Sequence, residues 1–242
     1  ITHLFQREDA THISVDTTLT SLTGTGGNFQ FGKQGGGNWR YYIGGHWKSP
    51  KLELNDIGFL RQADKITQYA GATRLFTKPT NWYRRAQVGV EQFTTYDFEG
   101  NYNRFQIELQ GDINYKNNWW SEGGVAYKPI IYSNTVLRGG PRWRWSDEHF
   151  FYFFSGTNQS KKFSGTLGYI YSQAKQNNFG LRKYEARLNY QPLNALSLSL
   201  AAEYASNPNK TQYASQQDYV GITRYILSEI DQETLSATLR IN

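Results

Sequence analysis

The sequence predicts an all-β protein, a transmembrane antiparallel up-and-down β-barrel, of which residues 1–242 form one domain and an incomplete portion of a larger barrel. Three observations carry this prediction. Long segments alternate strictly between apolar and polar residues, tight turns alternate with longer connections, and tryptophans gather beside the tight turns. Aromatic residues make up 16% of the chain, yet its mean hydropathy is −0.68. No apolar run approaches the roughly 18 residues of a spanning helix, so the helical membrane class is excluded.

Taken in chain order, residues 1–8 read as a first strand leading into a long connection at 9–21. The stretch GNFQFGKQGGG (27–37) imitates a phosphate-binding loop through Gly27, Gly32 and Lys33. A phosphate loop needs Ser or Thr after the lysine to hold Mg²⁺, and Gln34 stands there instead. Phe29 and Phe31 alternate with Asn28 and Gln30, which reads as a strand running into a glycine turn. In KLELNDIGFLRQADKI (51–66), Ile57, Leu60, Ala63 and Ile66 recur every three residues, as on a short amphipathic helix. That segment reads as an outer loop packed on the barrel rim, with Ile57, Phe59 and Leu60 as its candidates for contacting a partner.

The clearest strand is RFQIELQGDINYK (104–116), where Phe105, Ile107, Leu109, Ile113 and Tyr115 fall on one face. Arg104, Gln106, Glu108, Gln110, Asp112 and Asn114 fall on the other. Period two is held over about 12 residues, against 5 or 6 in an ordinary soluble strand. A charge at the bilayer midplane of a barrel costs about 2–4 kcal/mol, so the charged face must look into the lumen. Residues 141–157 read as one long strand with room for a bulge, and the alternation returns at 184–190, 196–204 and 235–241. Lys183, Glu185 and Arg187 share a face, as do Glu203 and the serines before it. The lumen-facing candidates are therefore Arg104, Glu108, Asp112, Arg187 and Glu203.

Short turns are expected at 34–37, 78–81, 116–118, 158–161, 191–195 and 231–233, and longer connections at 9–21, 50–64, 97–101, 133–140, 174–180 and 207–220. Trp39, Trp82 and Trp119 each follow a short turn closely, where an interfacial aromatic girdle belongs. Tyr96, Phe98, Tyr132, Tyr171 and Tyr204 supply the other girdle. This segmentation gives about thirteen strands, whereas single-chain bacterial barrels use an even number, so strands are expected to be missing at one or both ends.

The chemistry is sparse. Cysteine and methionine are both absent; the missing initiator reads as a processed chain or an internal piece. The net charge of +6 comes from interspersed residues of both signs, without the basic blocks of a nucleic-acid binder. His3, His12, His46 and His149 form no metal-ligand spacing, so neither metal nor cofactor is expected. His46 and Ser49 sit three apart, which puts them on opposite faces of a strand and breaks a Ser–His pair. Glu108 and Asp112 stand about 13 Å apart at strand rise, beyond glycosidase reach, and no catalytic residues are assigned.

The stretches THLFQREDA, TSLTGTGG, GKQGGGNWR, SPKLELNDIGFLRQAD, SNTVLRGGP, LNYQPLNALSLSL and TRYILSEIDQETLSATLRIN cover most of the chain. Together they resemble outer-membrane proteins of Bacteroidota that carry an uncharacterised C-terminal β-barrel domain behind an N-terminal carbohydrate-binding-like (family-nine-like) module. The resemblance implies a barrel in the outer membrane and a sugar-binding sandwich outside these residues. It supplies no catalytic residues.

The expected function is a non-catalytic outer-membrane barrel serving as a channel, an uptake component or an accessory subunit of an envelope complex. Its expected partners are the lipid bilayer, other outer-membrane proteins and, through an uncovered domain, glycans. Two alternatives stand beside it: a membrane anchor for a carbohydrate-binding or carbohydrate-processing envelope protein, and a soluble β-sandwich binding module.

Overall fold

A computed structural model describes residues 7–14, 16–54, 60, 62–176 and 179–241, and every regular element among them is a strand. The chain forms β1 (Gly26–Lys33), β2 (Trp39–Lys48), β3 (Lys65–Phe76), β4 (Tyr83–Tyr96), β5 (Tyr102–Tyr115) and β6 (Trp120–Ser133). It continues through β7 (Trp143–Trp145), β8 (Glu148–Gly156), β9 (Phe163–Ala174), β10 (Gly180–Leu193), β11 (Leu196–Tyr219) and β12 (Ile222–Ile241). Consecutive strands pair antiparallel in one sheet, β7 and β8 lying in line against β6. The edges β1 and β12 do not pair, so the sheet is not closed into a barrel.

Turn chemistry explains where strands end. GNFQFGK runs as β1 into a turn with Gly36 and Gly37 at φ 69° and 67°, a conformation that glycine adopts without steric cost. Asn118 takes φ 65° between β5 and β6, as asparagine tolerates. One end of the sheet carries the connections 34–38, 77–82, 116–119, 157–162 and 194–195, and the other carries 49–64, 97–101, 134–142, 175–179 and 220–221.

Several expectations change. Residues 207–220 are not a loop: β11 runs through them to Tyr219, and the turn is Val220–Gly221. Residues 231–233 are not a turn but lie within β12, where Gln232 pairs with Asn207 and Glu233 with Ser206. The strands expected on either side of that supposed turn are therefore one, the single strand expected at 141–157 is instead two in line, β7 and β8, and β12 runs toward the short-turn end rather than away from it. The expected helix at 51–66 is not formed by its described residues, 51–54, 60 and 62–66, of which Lys65 and Ile66 lie on β3; residues 55–59 and 61, Ile57 and Phe59 among them, lie outside the described set. Of the expected first strand at 1–8, residues 1–6 lie outside the described set, while Arg7 and Glu8 are not in a strand.

The two faces of the sheet differ as period two requires. Val90, Leu109 and Val125 stand directly opposite one another and are 42%, 52% and 49% exposed. Phe31 and Ile43, Phe153 and Tyr169, Leu188 and Leu200 continue this apolar face across the sheet. No second layer covers it among the described residues. The buried apolar residues described are only Leu60, Ala126, Leu137, Ala174 and Ala205.

Candidate functional site

The opposite face gathers the polar side chains. Arg104, Glu108 and Asp112 alternate along β5 and occupy this face with Arg187 of β10 and Glu203 of β11, as their registers place them. The strands thus bring all five candidates to one surface, though not to one point. Glu108 stands directly opposite Glu91, and Asp112 opposite Glu122. Such like-charge pairs oppose strand association. Each is relieved by neighbours: the Tyr42 hydroxyl donates to Glu91 at 2.6 Å, and Gln106 Nε2 donates to Glu108 at 2.9 Å. Arg85 approaches Asp112 at 3.6 Å, and Arg104 donates to Gln106.

On the β10–β11 side, Lys183 Nζ lies 2.7 Å from Glu185 and 2.9 Å from Glu203. Glu185 and Glu203 of this triad border a basin of about 690 Å³, lined also by Trp120, Phe154, Arg187 and Arg240. Aromatic rings on this face rest on glycines of the neighbouring strand. Tyr42 covers Gly71, Tyr69 covers Gly44, Tyr152 covers Gly124, Phe154 covers Gly168 and Trp120 covers Gly156. In each case ring and glycine are direct cross-strand partners. A Cβ at Gly124 would stand 2.7 Å from the Tyr152 ring and one at Gly71 2.7 Å from that of Tyr42. Glycine is what lets the rings lie flat.

Toward the end with the longer connections, this face is buried: Gln106, Ala126, Ser172 and Ala205 are all under 9% exposed. The segment before β1 contributes to a polar cluster here. Arg7, 3% exposed, places Nη2 3.3 Å from Asp97 and Nε 3.4 Å from Asp9. Asp97, fully buried, also accepts from the Asn101 N–H at 2.8 Å. His12 lies 2.9 Å from Asp64 and 3.4 Å from Glu99. Both the side chain and the N–H of Thr11 donate to Glu99; with help from Asn101 and His12, they hold its carboxyl down at about 2.

Trp39, Trp82 and Trp119 cluster at the short-turn end and are 50%, 60% and 46% exposed. Leu60 is buried, while Ile57 and Phe59 lie outside the described residues. Ser49 Oγ accepts from the Thr25 N–H at 2.7 Å, and His46 faces Asn28 and Thr67, so the two form no Ser–His pair. No group of three or more His, Asp or Glu suited to a metal ion occurs among the described residues. Sequence reasoning missed the partners Tyr42, Glu91, Glu122 and Tyr152. The same alternation in YRRAQVGVEQ and HFFYFF signalled Glu91 and Tyr152, but direct opposition depends on register, which turn lengths set.

Among the described residues, a polar, hydrogen-bonded face backed by an uncovered apolar face defines the class: a one-layer antiparallel sheet. Residues 4–242 match the model of a domain of unknown function, DUF5916, and the chain belongs to that family. Comparisons with curated proteins and with solved structures return no match.

Proposed function

We propose that the sheet is the wall of a transmembrane β-barrel, with lipid on the apolar face and water on the polar face, acting as a channel or uptake component of the outer membrane. The observation that carries this reading is the pairing of Leu109, Val90 and Val125, half exposed on one side, with Glu91, Glu108 and Asp112 on the other. In water, each large apolar side chain left uncovered forgoes about 1.5–3 kcal/mol. A sheet this long with so small an apolar core needs another apolar phase. The soluble sandwich is disfavoured because no second sheet faces this one among the described residues.

Closure follows from strand direction. Eleven strands lie along the pairing path, so β1 and β12 run the same way and cannot meet antiparallel. An even, fully antiparallel barrel requires an odd number of further strands between them. The second reading, a membrane anchor for a glycan-binding module outside these residues, draws support from the buried loop end of the polar face. A Bacteroidota source and that module are part of the proposal through the resemblance alone. Planar-bilayer recording on the full-length protein separates the readings: steady conductance supports the channel, and a tight seal from correctly folded protein supports the anchor.

A further inference from the structure

We propose that the hairpin of β11 and β12 is a clasp that closes the loop end of the polar face, pinned on the N-terminal segment and on the 134–142 connection. The proposal rests on that face being the working, water-filled surface. β10 pairs with β11 only as far as Arg182 and Ser206; beyond that, the two hairpin strands pair with each other as far as Tyr219 and Ile222. Register shifts between Asn207 and Lys210 and between Tyr213 and Ser215 bend the hairpin where it leaves the sheet.

Its contacts then cross to a distant part of the sheet. The 134–142 connection follows β6, which is separated from β11 by β8, β9 and β10. The Arg138 guanidinium nevertheless lies 5.1 Å over the Tyr213 ring. The Tyr225 ring packs on Gly140, where a Cβ would stand 2.5 Å from it, and its hydroxyl donates to Glu8 Oε1 at 3.0 Å. Glu8 belongs to the segment that Arg7 ties to Asp97 and that Asp9 ties to the Arg142 N–H at 2.9 Å. A chord from hairpin to loop to N-terminal segment therefore spans the end of the face at which Ser172 and Ala205 are buried.

The same contacts make the clasp releasable. Beyond Ser206 its ladder is internal, so no ladder bond to β10 holds it. The Tyr225–Glu8 bond is exposed, and Arg7 Nη1 is buried without a hydrogen-bond partner among the described residues. A buried donor left unpaired taxes the closed arrangement. Elements held by few and exposed contacts open locally before the rest of a fold does.

The chain has no cysteine, so reporters can be placed cleanly. In the folded full-length protein, Ser172→Cys reports from the buried loop end of the polar face and Thr238→Cys from the exposed basin end. Labelling with a water-soluble maleimide is compared with and without Tyr225→Ala. The expected result is roughly tenfold faster labelling at position 172, corresponding to about 1.4 kcal/mol lost from the closed state, with position 238 unchanged. Tyr225→Phe, which keeps the ring and deletes only the bond to Glu8, should give a smaller acceleration and guards against a folding defect in the alanine variant. Unchanged labelling at 172 in both backgrounds overturns the clasp. Conductance of the same variants is read separately. Faster labelling with no current leaves the clasp standing and removes the channel, and current with unchanged labelling does the reverse.

Discussion

Leu109 and Glu108 are neighbours in the chain and opposites in environment, the first half exposed on the apolar face and the second hydrogen-bonded on the polar one. Leu109→Lys should therefore cost about 2–4 kcal/mol of folding stability in lipid if the apolar face lies at bilayer depth. Glu108→Leu should cost less than about 1 kcal/mol, since it also removes the like charge opposite Glu91. Denaturant titration of the protein in vesicles reads both. Glu99 gives a pH expectation. Its carboxyl titrates lower folded than unfolded, so the stability it lends the N-terminal segment is full above the ordinary carboxylate value and lost as pH falls toward about 2. The protection of the Thr11 amide against exchange, relative to a free amide at the same pH, should hold at pH 5 and fall as pH is lowered through that window, since its N–H donates to Glu99. At this scale the faces were legible, because alternation alone decides them. The opposition of Asp112 to Glu122 was not, because a single inserted turn residue changes every partner.

Among the elements, β5 announces itself by period two, and β1 by its two phenylalanines before a glycine turn. The β11–β12 hairpin does not. Asn-Pro-Asn-Lys at 207–210 has turn composition, and Pro208 cannot donate to a ladder. The structure places that proline in the register shift between Asn207 and Lys210, where no ladder bond is needed, and Asn209, at φ 53°, donates its N–H to Asp231 at 2.8 Å. The Asp-Gln-Glu run at 231–233 reads as a turn for the same compositional reason, and pairing across the bulge overrides it. Ring-on-glycine joints hold strands together at this scale. Gly168→Ala should push the Phe154 ring off its seat and destabilise the sheet by about 1–3 kcal/mol, and Phe154→Ala should largely cancel that penalty in a double-mutant cycle. Additive effects in that cycle would show that the contact carries no energy. Arg7→Ala removes the guanidinium from a fully buried Asp97 and should cost about 3–5 kcal/mol in local opening of the N-terminal segment, read by hydrogen exchange.

For the molecule as a whole, the sequence revealed an all-β chain with one polar and one apolar face, and its expectation of an incomplete barrel rested on a count of about thirteen strands. The sheet is open, but with twelve strands, because closure is a property of edges and not of any segment. Among the described residues both edges are unpaired and run in one direction, and β12 is exposed along its final eleven described residues, Asp231 to Ile241. The central claim is that lipid covers the apolar face and water the polar one. Its most direct test is a single-cysteine scan of residues 104–115 in the full-length protein reconstituted in bilayers, each site spin-labelled and measured for collision with oxygen and with a water-soluble nickel chelate. The account predicts that positions 105, 107, 109, 113 and 115 favour oxygen while 104, 106, 108, 110, 112 and 114 favour the chelate. Equal chelate accessibility along both sets, or a reversed alternation, would contradict it.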